Sequence, residues 1–226
     1  MNHDLQEMIA YKKALDGIIS PLWLAPATCY IPLMHSKDYH LCAQDVSASE
    51  IEKNTGSTSI RALKSLDVKG VLIGHTELNM TCEEKITKVK LVVKSKRKAF
   101  MIISDTQEEF DYQYTYHVLY NQMEKVLDVL IPSDYENIIF IYEPSFLVGS
   151  YHSLNPEFVS NLFYQLKMTL EKQYNFSFPI YYGGGLTNEN IEPFLTIENV
   201  DGLLLGSVAN DPKNIINLLK NDKTRH

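Results

Sequence analysis

Apolar residues in this chain come in short unbroken runs, separated by longer stretches of mixed polarity. The runs lie at residues 22–25, His40–Ala43, Gly70–Ile73, 99–103, Ile138–Tyr142, 179–182 and 202–205. Most are continuous rather than alternating. Strands buried on both faces read this way, as they do in a parallel sheet. The intervening stretches have helical spacing. Residues 4–19 place Leu5, Met8, Ile9, Leu15 and Ile19 along one stripe, and 57–66, 83–94, 115–130, Pro156–Tyr174, 188–195 and 211–219 follow. Several carry start signals: Thr81 with Glu84 is a capping box, Pro156 follows Asn155, and Asn188 precedes Glu189. Strand and helix alternate throughout, which predicts an α/β fold with a parallel sheet. No linker, internal repeat or shift in composition interrupts residues 1–226, so one domain is expected.

The strand count is the odd feature. Seven strands are predicted and the chain opens on a helix, whereas a closed (β/α)8 barrel needs eight. Either the sheet is open, or an eighth strand is missing from the N-terminus.

Composition narrows the classes. A chain of 226 residues, 45% of them hydrophobic, suits one (β/α) barrel or two small domains. No window of eighteen apolar residues occurs, which argues against a membrane span, and the N-terminus MNHDLQEMIAYKK has no apolar signal core. A cytoplasmic location is expected. Cys29, Cys42 and Cys82 are odd in number and have no CxxC spacing, which argues for a reducing compartment and against a metal site. The net charge of -7 and the lack of a basic stripe with interleaved aromatics argue against a nucleic-acid partner. The basic cluster at 88–98, KVKLVVKSKRK, is expected to cover a solvated helix face and the turn after it. An acidic chain can still hold an anion at a local site of backbone N–H groups, so helix starts and glycine turns are the places to look.

Functional residues of a parallel barrel sit at the C-terminal ends of its strands. The third run leads into His75, Thr76 and Glu77. A lone histidine near a core is often a satisfied structural residue; its place at this edge, with a carboxylate two residues on, gives equal weight to a catalytic role. The fifth run leads into Glu143, within IYEPSFLVGS. A carboxylate is expensive in apolar surroundings unless paired, so Glu143 is either half of an ion pair with a neighbouring strand or a general base made more basic by burial. The sixth run leads into Gly183-Gly184-Gly185, ahead of a helix start at Thr187-Asn188, and the seventh into Gly206-Ser207. Two glycine turns after the last two strands make a plausible phosphate cup, the usual phosphate location in this architecture. A small phosphorylated substrate, a carboxylate base and a neutral hydrogen-bond donor together fit proton abstraction next to a carbonyl.

These blocks resemble the triosephosphate isomerase family. IGHTE is similar to that family's IGHSE, IYEP to its YEP, YYGGG to its YGGS, and DGLLLGSVAN to its DGxLVGGAS end. AQDVSASEIEKNTGSTS, residues 43–59, resembles its AQNVS…TGE loop, which reaches into a partner subunit. The blocks come in family order over roughly residues 1–220. The resemblance implies a TIM (β/α)8-type barrel lacking its first strand, acting as a homodimer without cofactor. It implies interconversion of glyceraldehyde 3-phosphate and dihydroxyacetone phosphate through an enediol(ate), in glycolysis and gluconeogenesis. Glu143 would be the base, His75 the group polarising the carbonyl, and Glu77 a neighbour supporting the site. Residues 144–154 would be a closing lid with Gly149 and Ser150 at its tip near the phosphate. Gly185, Gly206 and Ser207 would complete the phosphate site, and Thr55 would be the contact of the dimer loop.

The departures from the family pattern are specific. The family opens with a strand ending in Asn-x-Lys-Met-Asn; this sequence starts at the last two residues of that motif, Met1-Asn2, without the strand and the lysine. Lys12 and Lys13, two turns into the first helix, are poor substitutes. Two explanations compete: the protein begins upstream of Met1, or the strand has been lost and catalysis with it. A barrel short of a strand leaves two edges and part of its core open, which favours the first. Gly185 stands for the family's serine, Tyr151 for a lid glycine, Leu78 for an arginine and Ile102 for a cysteine. These changes keep two further readings open: a catalytically impaired barrel that binds a phosphorylated metabolite or acts as a scaffold, and an isomerase for a longer ketose phosphate, such as one of four carbons.

Overall fold

In the computed structural model every apolar run becomes a strand. The structure describes residues 3–18, 20–49 and 55–223, with side chains as far as 220. The strands are β1 (Trp23–Leu24), β2 (His40–Ala43), β3 (Gly70–Ile73), β4 (Lys98–Ile103), β5 (Ile138–Tyr142), β6 (Ile180–Tyr182) and β7 (Gly202–Leu203). They lie in chain order in one sheet, and every neighbouring pair is parallel. The α-helices are α1 (Leu5–Leu15), α2 (Ile60–Ser65), α3 (Cys82–Lys94), α4 (Gln107–Asp111), α5 (Thr115–Leu127), α6 (Pro156–Tyr174) and α7 (Pro212–Lys223). This is the α/β barrel architecture with seven strands among the described residues.

Alternation along each strand sorts its side chains into two cores. Leu72, Phe100, Ile102, Ile139 and Ile141 meet inside the curl of the sheet together with Cys42. Val71, Ile73, Met101, Ile103, Phe140 and Tyr142 point outward into the larger layer under the helices. Both faces are therefore dry, which is why the runs are unbroken in sequence. The interior is filled at its lower end by aromatic rings: Trp23 meets Phe100 edge-on at 4.9 Å, and Phe100 meets Tyr181 at 6.3 Å. Helix α1 packs beside α7, and the Tyr11 hydroxyl donates to Ala209 O at 2.7 Å, tying the first helix to the turn after β7.

Helices α1, α2, α3, α4 and α6 begin where a side chain satisfies free N–H groups, whereas α5 starts after Tyr114 without such a cap. Thr81 and Glu84 form the expected capping box of α3, and Asn155 caps α6 ahead of Pro156. Four expectations need correction. Residues 188–195 make turns and a short 3₁₀ helix, Glu192–Leu195, because the Asn190 side chain accepts from Thr187 N–H at 2.8 Å and donates to Gly185 O at 2.9 Å, closing a local turn. Helix α1 ends at Leu15, where Gly17 takes φ +85°; Ile19 lies outside the described residues. Helix α4 was not expected, although Thr106 and Glu109 form its capping box. The basic cluster is not uniformly solvated: Lys88 is buried and donates to both carboxylate oxygens of Asp45, at 2.7 and 2.8 Å. Met1-Asn2 and residues 50–54 of the loop that resembles the family's dimer loop also lie outside the described residues.

Candidate active site

β3 carries the chain to Gly74, where φ turns to +82° and the backbone leaves the sheet. His75 follows as the cap of a 3₁₀ helix, Thr76–Leu78. Its Nδ1 accepts from the Glu77 N–H at 3.4 Å. With Nδ1 accepting, the imidazole proton belongs on Nε2. Nε2 points at Glu143, 3.5 Å from Oε1.

Glu143 is the first residue past β5. Its N–H donates to Ile103 O at 3.0 Å, and its carbonyl accepts from the Ser104 hydroxyl at 2.6 Å. The residue is only 7% exposed. Oε2 accepts from Thr76 Oγ1 at 3.1 Å and from Thr76 N–H at 3.5 Å. The buried carboxylate is thus held by hydrogen bonds from the turn after β3, two strands away in the sheet, which is how such a group is tolerated. Of the two readings open for Glu143, no lysine or arginine ion pair is formed among the described residues; the side chain facing Oε1 is the imidazole of His75.

The segment after Pro144 arches back over the glycine turn. Gly149 takes φ +75°. The Ser150 N–H donates to Leu147 O at 3.0 Å and its hydroxyl to His152 O at 3.1 Å, so both polar groups serve the arch itself in this conformation. Tyr151 at the tip is 76% exposed. The far end is anchored by Tyr182, whose hydroxyl accepts from Leu154 N–H at 3.0 Å and donates to Gly184 O at 3.1 Å. Burial pushes the Tyr182 phenol up to about 12, so it stays a donor. Gly185, at φ +58°, lies directly beneath His152: a Cβ there would collide with the His152 carbonyl. After β7, Gly206 and Ser207 are exposed and open a 3₁₀ helix, Ser207–Asn210, whose first N–H groups have no intrahelical partner.

The predicted residues therefore fall into two groups. His75 and Glu143 meet directly, and Gly149, Ser150 and Gly185 belong to one arch and the turn beneath it, while Gly206-Ser207 follow β7, the strand paired with β6. Glu77 points its carboxylate to solvent, 76% exposed and 3.9 Å from His75 Nδ1; its backbone N–H is the group that serves the histidine. Thr55 lies on an exposed turn. Lys12 pairs with Asp16 at 2.7 Å. Three supporting residues were missed. Thr76 grips the carboxylate, and Ser104 holds the Glu143 backbone. Asp105, 1% exposed, accepts from the Thr115 and Tyr142 hydroxyls at 2.6 and 2.9 Å, while its carbonyl accepts from the Ser145 N–H and hydroxyl at the root of the arch. A polar residue just past a strand end was the available signal for each.

The family model described as triosephosphate isomerase matches residues 1–222. The chain belongs to the triosephosphate isomerase family. Among curated relatives, the triosephosphate isomerase of Blochmanniella floridana is 29% identical over 214 residues, covering 87% of this chain and 80% of the relative. That of Mycoplasmoides gallisepticum is 29% identical over 208 residues, covering 87% and 82%. That of Blochmanniella pennsylvanica is 29% identical over 216 residues, covering 88% and 83%. Membership of the triosephosphate isomerase family implies an isomerase and a phosphorylated triose as substrate. No helix among the described residues is long and apolar enough to cross a membrane.

Proposed function

We propose that this chain interconverts glyceraldehyde 3-phosphate and dihydroxyacetone phosphate by proton transfer, without cofactor, as a single-domain cytoplasmic enzyme of glycolysis and gluconeogenesis that works as a homodimer. The observation that carries the reading is the pairing of a buried carboxylate with a histidine whose Nε2–H faces it at 3.5 Å. Glu143 takes the proton from the carbon next to the carbonyl, and its pair of electrons forms the enediolate double bond. His75 Nε2–H donates to the oxygen on which charge develops. The hydroxyl proton of the enediolate passes from one of its oxygens to the other, which bore the charge, and Glu143 returns the carbon-bound proton to the neighbouring carbon, so the substrate is isomerised with no net oxidation. The open N–H groups at Gly206 and Ser207, with Gly185 beside them, suit the phosphate. Gly149 and Ser150 join them after the arch rearranges, because Ser150 currently spends its donors on Leu147 and His152. Thr55 is assigned to the dimer contact.

The test is a coupled assay for triose phosphate interconversion on the purified chain and on Glu143→Gln. The wild-type chain is expected to turn over. Glu143→Gln is expected to lose about 10²–10⁴-fold in kcat while still binding a phosphate-bearing inhibitor. Binding by both proteins with turnover by neither supports a non-catalytic phosphate-binding barrel instead, and undiminished turnover by Glu143→Gln removes Glu143 as the base.

A further inference from the structure

One ammonium group reaches the catalytic edge of the sheet from outside it. Lys85 lies one turn into α3, and its side chain runs inward across Gly74: a Cβ built on that glycine would collide with Lys85 Cε and lie 2.7 Å from Cδ. Nζ ends 3.0 Å from the carbonyl oxygen of Ile102 on β4. The ladder explains why that oxygen is available. β3 and β4 pair in parallel from Gly70 opposite Lys98 to Ile73 opposite Met101. Even-numbered β4 residues bond toward β3, as where Lys98 N–H donates to Lys69 O at 3.0 Å. Carried one step further, the same pattern would have Ile102 O accept from the N–H of His75. β3 has ended by then, because the positive φ of Gly74 swings His75 out of the sheet. Ile102 is fully buried, and a carbonyl stranded there would carry a desolvation penalty.

We propose that Lys85 is a positioning residue for His75: its ammonium occupies the ladder place that His75 vacates, which lets β3 turn out at Gly74 and hold the imidazole toward Glu143. The lysine stem braces the turn from behind while the charged tip satisfies the strand. Burial draws the Lys85 ammonium downward in pKa, while the Cys82 sulfur and the Glu143 carboxylate pull the other way. The titratable groups around the turn are thus Lys85 and Cys82 from α3, Glu77 from the 3₁₀ turn and Glu143 from the end of β5. The sequence offered no such assignment, since Lys85 stands ten residues past the histidine it would serve and seventeen before the carbonyl it bonds.

The kinetic half of the test rests on the isomerase reading; the spectroscopic half does not. Lys85→Met keeps the stem and removes the donor. Lys85→Cys, in a chain also carrying Cys29→Ser and Cys82→Ser, can be treated with 2-bromoethylamine to restore a lysine-like ammonium, Cys42 being buried. Both unmodified variants are expected to lose about 10- to 100-fold in kcat with KM for the triose phosphate within about twofold, and to shift and broaden the His75 ring signals in NMR. Aminoethylation should return both. Folded variants with unchanged His75 signals, a loss confined to KM, or no recovery after aminoethylation would overturn the proposal. If the wild-type chain has no isomerase activity, the functional reading fails and the His75 signals alone decide the role of Lys85. If neither variant folds, the wild-type protein labelled at lysine Nζ decides: an ammonium signal protected from exchange and assigned to Lys85 is expected, and a Lys85 ammonium that exchanges as fast as surface lysines overturns it.

Discussion

Thr76 Oγ1 lies 3.1 Å from Glu143 Oε2, while the residue before it, His75, brings Nε2 to 3.5 Å from Oε1. Two consecutive residues of one turn thus address both oxygens of one carboxylate. Thr76 is more than a spacer after the histidine. Thr76→Val replaces the hydroxyl with a methyl of similar size and leaves Oε2 with only the long contact from the Thr76 N–H. A hydrogen bond to a charged group contributes about 1.5–3 kcal/mol, and urea unfolding of Thr76→Val should register a loss of that order. Thr76→Ser, which keeps the hydroxyl, should recover most of it. Equal stability of the valine and serine variants would mean that the clamp is weak in solution.

The histidine makes a separate prediction. Its Nδ1 is occupied by the Glu77 N–H, leaving Nε2–H as the donor. His75→Ala removes that donor and should lower kcat by about 10²–10³-fold, the loss associated with one hydrogen-bond donor to a developing oxyanion, with a smaller effect on KM. Steady-state kinetics separates the two. A change in KM alone would make His75 a ground-state contact. Glu77→Gln should change little by comparison, because the exposed carboxylate is not the part of Glu77 that touches the histidine.

Asp105 gives a pH prediction. Burial raises its pKa above the ordinary 3.8, against the lowering effect of the Thr115 and Tyr142 hydroxyls. A carboxyl whose folded pKa is raised adds stability that is fully present below the unfolded value and is lost as pH climbs through the folded one. The Tm of the wild-type chain relative to Asp105→Asn should therefore fall as pH rises from below 3.8, then level off once Asp105 is ionised in the folded protein. A relative Tm that rises over the same interval would mean that the two hydroxyl bonds outweigh burial.

Much of this was legible in the sequence, for a physical reason. His40–Ala43, Gly70–Ile73 and Ile138–Tyr142 are strands with the bounds read from their apolar runs, because both faces of the sheet are dry and the runs are unbroken. Pro156–Tyr174 was equally clear, since Asn155 and Pro156 mark its start. His75 and Glu143 stood out because each ends such a run. The rest depended on distance in space. Lys88 could not be told from a solvated lysine until Asp45, forty-three residues away, was seen beside it. Asn188 looked like a helix start until the Asn190 side chain was found closing the turn instead. Lys85 and Ile102 meet only because α3 lies against the β3–β4 seam.

The last prediction concerns the arch. Gly185 combines a positive φ of +58° with a backbone carbonyl, that of His152, in the space a Cβ would need. A side chain there meets two penalties at once: the left-handed conformation, about 1–3 kcal/mol for a non-glycine residue, and displacement of the arch above it. The resemblance that implies a lid also implies a serine at this position, and in this conformation the arch lies closer to the turn than a serine would allow. Gly185→Ser should push residues 150–152 outward and strain the bond between Leu154 N–H and the Tyr182 hydroxyl. Limited proteolysis should then cut the variant faster between residues 149 and 153, and kcat/KM should fall more through kcat than through KM if the arch closes over the substrate. An unchanged cleavage rate would mean that the arch already moves freely in solution, and that the close packing of Gly185 beneath His152 is one of several conformations it visits.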